Sequence, residues 1–347
     1  MTVRIRPLDD AAAPAWDRFV RAMPDATFCH LSGWAGVIGR AFGHPTHYAF
    51  AEQDGAVVGV LPLVHMRTRL FGNTLSSTPF CVYGGPVAAM PEAASALENH
   101  ALDLQRRLGA PALEFRRRGT PDAGWQVRPP LYYTFRKTIS ITGDDAKDQA
   151  ANIPRKQRAE VRKAARTNLT AVTNLDVDGL YPLYAESVRN LGSPTFPRRY
   201  FRLLAAAFPG ACDVTTVRHG DQPVAAVLSF HFREEVLPYY AGSVPLARKL
   251  SANEFMYWEV MRRAARERGA TVFDFGRSKA DTGAFDYKKN WGFVPEELPY
   301  CYRLAPGAAV PDNNPNNPRF RLAIAAWKRL PLPVANLLGP PLVRGLG

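Results

Sequence analysis

Apolar residues recur at helical spacing near the start of the chain, at Trp16, Phe19, Val20 and Met23, and again at Trp34, Val37, Ile38 and Ala41. Pro24-Asp25 closes the first predicted helix and Gly43 the second. The pattern then changes to short apolar runs. His47–Ala51 and Val57–Leu63 flank Asp54-Gly55, which predicts a β-hairpin because this pair readily adopts the left-handed backbone of a tight turn. Phe80–Pro86 reads as a further strand running into a loop, Ala93–Leu108 as a helix and Ala112–Phe115 as a strand.

The second half repeats this order. AEQDGAVVGVL at 51–61 lies without gaps over RHGDQPVAAVL at 218–228. Helical patterns cover Ile153–Asn168, Tyr184–Asn190 and Glu254–Arg268, the last stopped by Gly269, with Met256, Val260 and Ala264 on its predicted buried side. A strand ends at Pro238–Ser243 and another spans Thr271–Phe275. The matched order of helix, helix, hairpin, strand, helix and strand predicts an α/β protein of two similar domains, 1–140 and 141–310. The stretch ITGDDAKD marks the boundary, and an Asn/Pro linker with a basic amphipathic tail follows over 311–347.

Composition changes this picture in two respects. Apolar residues make up 46% of the chain and charged residues 22%, so sizeable cores can form. The net charge of +13 favours a polyanionic partner. Cys29, Cys81, Cys212 and Cys301 show neither CxxC nor Cys/His spacing, which predicts no metal site and a reducing compartment. No signal-like apolar segment opens the chain and no run reaches the ~18 apolar residues of a spanning helix, so a cytoplasmic location is expected. In the tail, residues 320–347, Leu322, Ile324, Trp327 and Leu330 are interleaved with Arg321, Lys328 and Arg329. This suits peripheral contact with the inner face of a membrane, the alternative being packing against the protein itself. Pro331, Pro333, Pro340 and Pro341 interrupt any single long helix.

Several segments carry candidate chemistry. Arg155, Arg158, Arg162 and Arg166 fall on one face of a helix with few acids nearby, which fits a phosphate-rich partner such as tRNA or a solvated cationic surface. Arg189 precedes a loop pinned by Pro194 and Pro197. The strand ending in Asp274-Phe275-Gly276 stops at a glycine, where a ligand can approach the backbone, and Arg277 and Lys279 beside it suit a phosphate or carboxylate. No Ser/His/Asp or Cys/His set stands out, which favours direct transfer over a covalent intermediate.

The strand, the basic loop Arg248–Asn253, the helix and the next strand together resemble the acyl-donor motif of the GNAT acyltransferase superfamily. Tyr287–Phe293 resembles that superfamily's closing Gly-Phe element. Two such domains in one chain resemble the FemAB/FemX aminoacyltransferases. The stretch from Trp34 to Tyr302 is similar to FemAB-like proteins associated with the exosortase/PEP-CTERM system, through PRKQRAEVRKA, SVRNLGSPTFPRRYF, ANEFMYWEVMRRA and FDFGRSK…GAFDYKKNWGF.

The resemblance implies tandem GNAT-like domains, each a mixed, mostly antiparallel sheet flanked by helices. It implies transfer of an aminoacyl or other acyl group to an amine of a cell-envelope or exopolysaccharide-related precursor. Aminoacyl-tRNA is the expected donor and no cofactor is expected. Acetyl-CoA-dependent N-acetyl transfer and noncatalytic binding of an anionic glycan or lipid are the alternatives. By residue, the family pattern implies that Ser187 and Arg189 hold the phosphates of a phosphorylated precursor and that Tyr239 or Tyr240 stands near a strand end. Lys288 is implied beside the reacting carbonyl as a fixed positive charge, with Asp274 as a base or as the partner of Arg277. Gly276, Arg277, Lys279 and Trp291 complete the expected substrate contacts. The sequence departs from the family in two places. Ile38 stands where Fem proteins carry a lysine, with Arg40 two residues on, and Ser251 and Asn253 replace the small residues of a CoA pyrophosphate loop.

Overall fold

A computed structural model describes residues 2–118, 124–127, 131–311 and 321–347. Most of the predicted Asn/Pro linker lies outside these residues. The chain forms two compact units. The first comprises Met1–Leu131, Leu298–Asn317 and Pro341–Gly347; the second comprises Tyr132–Glu297 and Pro318–Pro340. The junction therefore precedes the expected boundary at 140. Strand Tyr132–Thr138, assigned by sequence to the first domain, pairs antiparallel with Val272–Asp274 in the second unit. Strand Cys301–Leu304, assigned by sequence to the second domain, pairs with Ala112–Phe115 in the first.

In the first unit, helices Ala13–Ala22 and Gly33–Phe42 precede the hairpin of strands Ala49–Gln53 and Ala56–Leu61. Its two turn residues, Asp54 and Gly55, both have positive φ, as the Asp-Gly signal requires. A single sheet was expected here, but there are two. Strands Arg4–Pro7, Ala49–Gln53, Ala56–Leu61 and Val87–Ala88 form one. Val64–Thr68, Gly72–Ser77, Ala112–Phe115, Cys301–Leu304 and Gln126–Val127 form the other. Pro62, which has no N–H to donate to a ladder, falls where the chain passes from the first sheet to the second. The strand expected at Phe80–Pro86 is instead a buried loop. The Gly84 amide donates to the Arg116 carbonyl and the Gly85 amide to Ser77 Oγ, so these groups are satisfied across the fold rather than along a ladder. Ile38 is fully buried, and exposed Arg40 donates from Nε to the Gly36 carbonyl in its own helix.

In the second unit, strand Leu169–Asn174 leads to helices Val177–Leu191 and Arg198–Ala207. The hairpin Cys212–His219 and Gln222–Phe232 follows, then strand Glu235–Ser243, helix Ala252–Arg268, strand Val272–Asp274 and helix Gly283–Asn290. This order of elements parallels that of the first unit. Sheet pairing is antiparallel except between Glu235–Ser243 and Val272–Asp274. Helix Ala252–Arg268 forms the crossover between these two parallel strands and buries Met256, Val260 and Ala264, as its spacing predicts, together with Trp258 and Met261. The protein is thus a mixed α/β fold with sheets flanked by helices.

Candidate functional site

The parallel pair opens almost as soon as it forms. Only Glu235 and Val236 of the first strand face Val272 and Phe273; beyond them, Leu237–Ser243 has no pairing with the second strand. On its other edge the first strand stays paired to Gln222–Phe232, but Leu228 faces Tyr240 and Ser229 faces Pro238, which leaves Tyr239 as an extra, bulged residue. Pro238, with no N–H, fits such an irregularity, and bulges re-aim side chains beside functional sites. Half-buried Tyr239 packs edge-on against Phe230 and Tyr240. Tyr240 belongs to the core instead: it is buried, and its hydroxyl is 2.8 Å from that of Tyr200.

The opposite side of the opening carries the lysine. Helix Gly283–Asn290 is capped by the Thr282 hydroxyl, which accepts from the Phe285 amide. Lys288 on this helix reaches back so that Nζ donates to the Gly276 and Arg277 carbonyls, each at 3.0 Å. Its stem keeps some exposure, but the ammonium is enclosed, with the Phe135 and Phe275 rings at 5.4 and 5.8 Å. Burial lowers its pKa to about 7; the Asp274 carboxylate opposes that shift and the Arg277 guanidinium adds to it.

Asp274 is 0% exposed, its Oδ1 accepts from the Gly276 amide at 2.7 Å and its Oδ2 lies 3.3 Å from Arg136 Nε. With both oxygens engaged away from solvent, it braces the turn, and Arg136 is one of its partners. Gly276 has φ of 64°, a conformation its missing Cβ permits, and this aims two successive carbonyls at one ammonium. Arg277 and Lys279 both lie over the Tyr132 ring, at 4.8 and 5.5 Å.

The structure therefore brings Asp274, Gly276, Arg277, Lys279 and Lys288 together and gives other expected residues different work. Trp291 is a core side chain, fully buried against Tyr257, Phe275 and Tyr287, and is not placed to touch a substrate. Ser187 Oγ donates to the Ser243 carbonyl and accepts from the Ser243 amide, tying its helix to the end of the open strand. Arg189 Nη1 donates to the Leu330 carbonyl of the tail at 3.1 Å. Arg155, Arg162 and Arg166 are exposed and Arg158 half-buried; the helix runs Arg155–Ala164, so Arg166 lies just past its end. No ion pair to these four arginines occurs among the described residues.

Sequence reading missed the strand that floors the site. Phe135 and Arg136 sit on Tyr132–Thr138, whose β-branched and aromatic alternation was legible but whose partner was not. It also missed two acids at the start of helix Ala252–Arg268. Ser251, at φ 55° and buried, donates from Oγ to Glu160 Oε2 at 2.6 Å. Glu254 lies in the first turn, its carboxyl held above its ordinary pKa mainly by burial. All four cysteines are buried thiols, and no group of acids, histidines and cysteines among the described residues is arranged to hold a metal.

A crossover helix between splayed parallel strands, with a bulge on the first, is the frame into which the comparisons fit. Residues 149–289 match the acetyltransferase (GNAT) domain family. No curated protein matches in sequence. Among solved structures, that of FemX superposes with a TM-score of 0.68 at 17% identity, covering 92% of this chain and all of that one. A tandem GNAT protein from the clavulanic acid biosynthesis pathway gives 0.56 at 14% identity over 89% of this chain and all of its own. L-PGS from Bacillus licheniformis gives 0.52 at 14% identity, covering 95% and 97% of the two chains. At these identities the likeness is one of fold, and the fold is that of a GNAT-type acyltransferase.

Proposed function

We propose that the second unit transfers an acyl group, here an aminoacyl group, directly to a primary amine, with Lys288 as the proton carrier. The observation that supports this reading is the setting of Lys288 at the opening of the sheet, with two donors committed to the Gly276 and Arg277 carbonyls. A neutral amine so placed spends both N–H bonds on those carbonyls and presents its lone pair. It takes the proton released when the acceptor amine attacks the activated carbonyl, and the resulting ammonium returns that proton to the departing ester oxygen. A pKa of about 7 suits both steps near neutral pH. This replaces the fixed positive charge inferred from the sequence. The open strand and the Asp274 brace supply orientation.

The donor class follows from charge. A helix N-terminus ordinarily welcomes the pyrophosphate of a CoA ester. Here Glu160 and Glu254 stand at that end and Ser251 is turned onto Glu160, which disfavours a diphosphate. The exposed cations Arg155, Lys156, Arg162, Arg248 and Lys249 instead suit a longer polyanion, and aminoacyl-tRNA is the donor we favour. FemX and L-PGS share the fold; an amine on a cell-envelope or exopolysaccharide-related precursor is the acceptor class proposed here. Calorimetry with tRNA and with CoA, each at two salt concentrations, tests the assignment. Salt-sensitive tRNA binding with no CoA binding supports it. Tight CoA binding overturns it in favour of acetyl transfer.

A further inference from the structure

We propose that the tail segment of the second unit is a docking surface for an anionic lipid bilayer. This stands independently of the acyl-transfer reading. The helix Leu332–Val343 contains no charged residue. Its inner side is packed: Ala335 is buried, and a Cβ added at Gly339 would come within 2.8 Å of the Thr195 amide nitrogen. The bond from Arg189 to the Leu330 carbonyl pins the segment just before it. Its outer side is also apolar and is open to solvent, with Val334 at 40%, Leu337 at 74% and Leu338 at 46% exposure. A helix apolar on every side is ordinarily buried or in contact with lipid. Leu322, 81% exposed on the preceding helix Arg321–Trp327, and Leu191, 72% exposed at the end of helix Val177–Leu191, add to the apolar surface. The close approach of Gly192 to Ile324 brings those two helices together.

Charge selects the occupant. Lys328 and Arg329 are exposed between the two tail helices, and residues 313–347 contain basic residues and no acid. A protein partner or a second copy of this chain would be expected to meet an apolar patch with mixed charge at its rim, whereas a tail whose apolar anchors have only cations beside them in sequence matches an anionic leaflet. Among the described residues no helix is long and apolar enough to cross a membrane, so the contact is interfacial. Helix Val177–Leu191, on which the tail rests, is the same helix that Ser187 ties to the open strand at Ser243. Docking would therefore hold the Ser243 end of the open strand close to the bilayer surface.

The test is sedimentation of the full chain with vesicles of phosphatidylcholine alone or mixed with phosphatidylglycerol, alongside the variants Leu337→Glu/Leu338→Glu and Lys328→Glu/Arg329→Glu. These side chains are exposed, and circular dichroism verifies that the variants remain folded. Wild-type protein should bind only the anionic vesicles. The leucine pair should lose at least tenfold in partitioning and the basic pair about fivefold per charge removed. Equal binding to neutral vesicles, no binding to either, or binding unchanged by both double variants would overturn the proposal. So would a wild-type dimer in sedimentation velocity that the leucine variant converts to monomer, since that would assign the patch to a second copy of the chain.

Discussion

Two half-buried lysines in the second unit invite comparison. Lys137 and Lys288 each donate to two backbone carbonyls, Lys137 to those of Asn152 and Trp291, the latter at 3.2 Å. Each lies near aromatic rings, Lys137 over Phe293 at 4.7 Å. Burial lowers both, Lys137 to about 8 and Lys288 to about 7. They differ in what lies next to them. Lys137 is opposite Phe273, where the sheet is continuous through Val236, and it fastens the end of helix Asp145–Asn152 to the turn at Trp291. Lys288 binds three residues further along, at Gly276, where the strands have parted. A depressed pKa thus marks both a clasp and a proposed catalyst, and only the opening of the sheet tells them apart.

The largest effect that should separate them is kinetic. Lys288→Ala should lower kcat by about 10²–10⁴, the range expected for loss of a proton carrier, in addition to the stability cost of leaving the Gly276 and Arg277 carbonyls without its ammonium. A Lys288 variant with wild-type kcat in steady-state assays would end its assignment. The converse holds for Lys137→Ala, which should leave kcat near wild type. It strands the Asn152 and Trp291 carbonyls and should cost about 1–3 kcal/mol in urea denaturation.

The pH dependences sharpen the contrast further. If neutral Lys288 takes the proton, kcat should rise about tenfold per pH unit below its pKa and level off above about 7. A fixed ammonium would give the reverse, a rate falling above that pH. For stability the sign is the same for both residues. An unfolded lysine stays protonated up to about 10.5, whereas the folded ones release their protons near 7 and 8. Between those values and about 10.5 the unfolded chain binds more protons, so stability rises with pH across that window. Lys288→Met should remove part of this slope, measurable as a flatter dependence of melting temperature on pH. The smallest expected change is at the surface. Arg155→Glu/Arg162→Glu should weaken tRNA binding and reduce its salt dependence by about two charges' worth, without touching kcat at saturation.

How much of this was legible in the sequence depends on range. The Asp54-Gly55 hairpin, the buried side of helix Ala252–Arg268 and the match between the two halves are local patterns, and the fold follows them. The lysine could be found because Tyr287–Phe293 is a contiguous motif. Phe135 and Arg136 could not be found, since nothing in Tyr132–Thr138 states which strand it will pair with. Trp291 misled for a related reason: an aromatic beside a functional lysine looks the same in sequence whether it faces the ligand or the core. Arg189 and Ser187 were read as ligand groups, yet both have partners within the protein, a tail carbonyl and a strand end, that only tertiary structure reveals.

The strand Cys301–Leu304 lies between Ala112–Phe115 and Gln126–Val127 in the first unit's sheet, yet the ribosome makes it only after Tyr132–Glu297 has been made. Synthesis therefore reverses the numbering. The sheeted body of the second unit has its pairing partners available first, while the earlier-made unit waits with an unfilled gap between two of its strands. A stop codon after Glu297 would leave that gap permanently open and expose strand edges to other chains, so the two halves of this protein are not separable by a single cut.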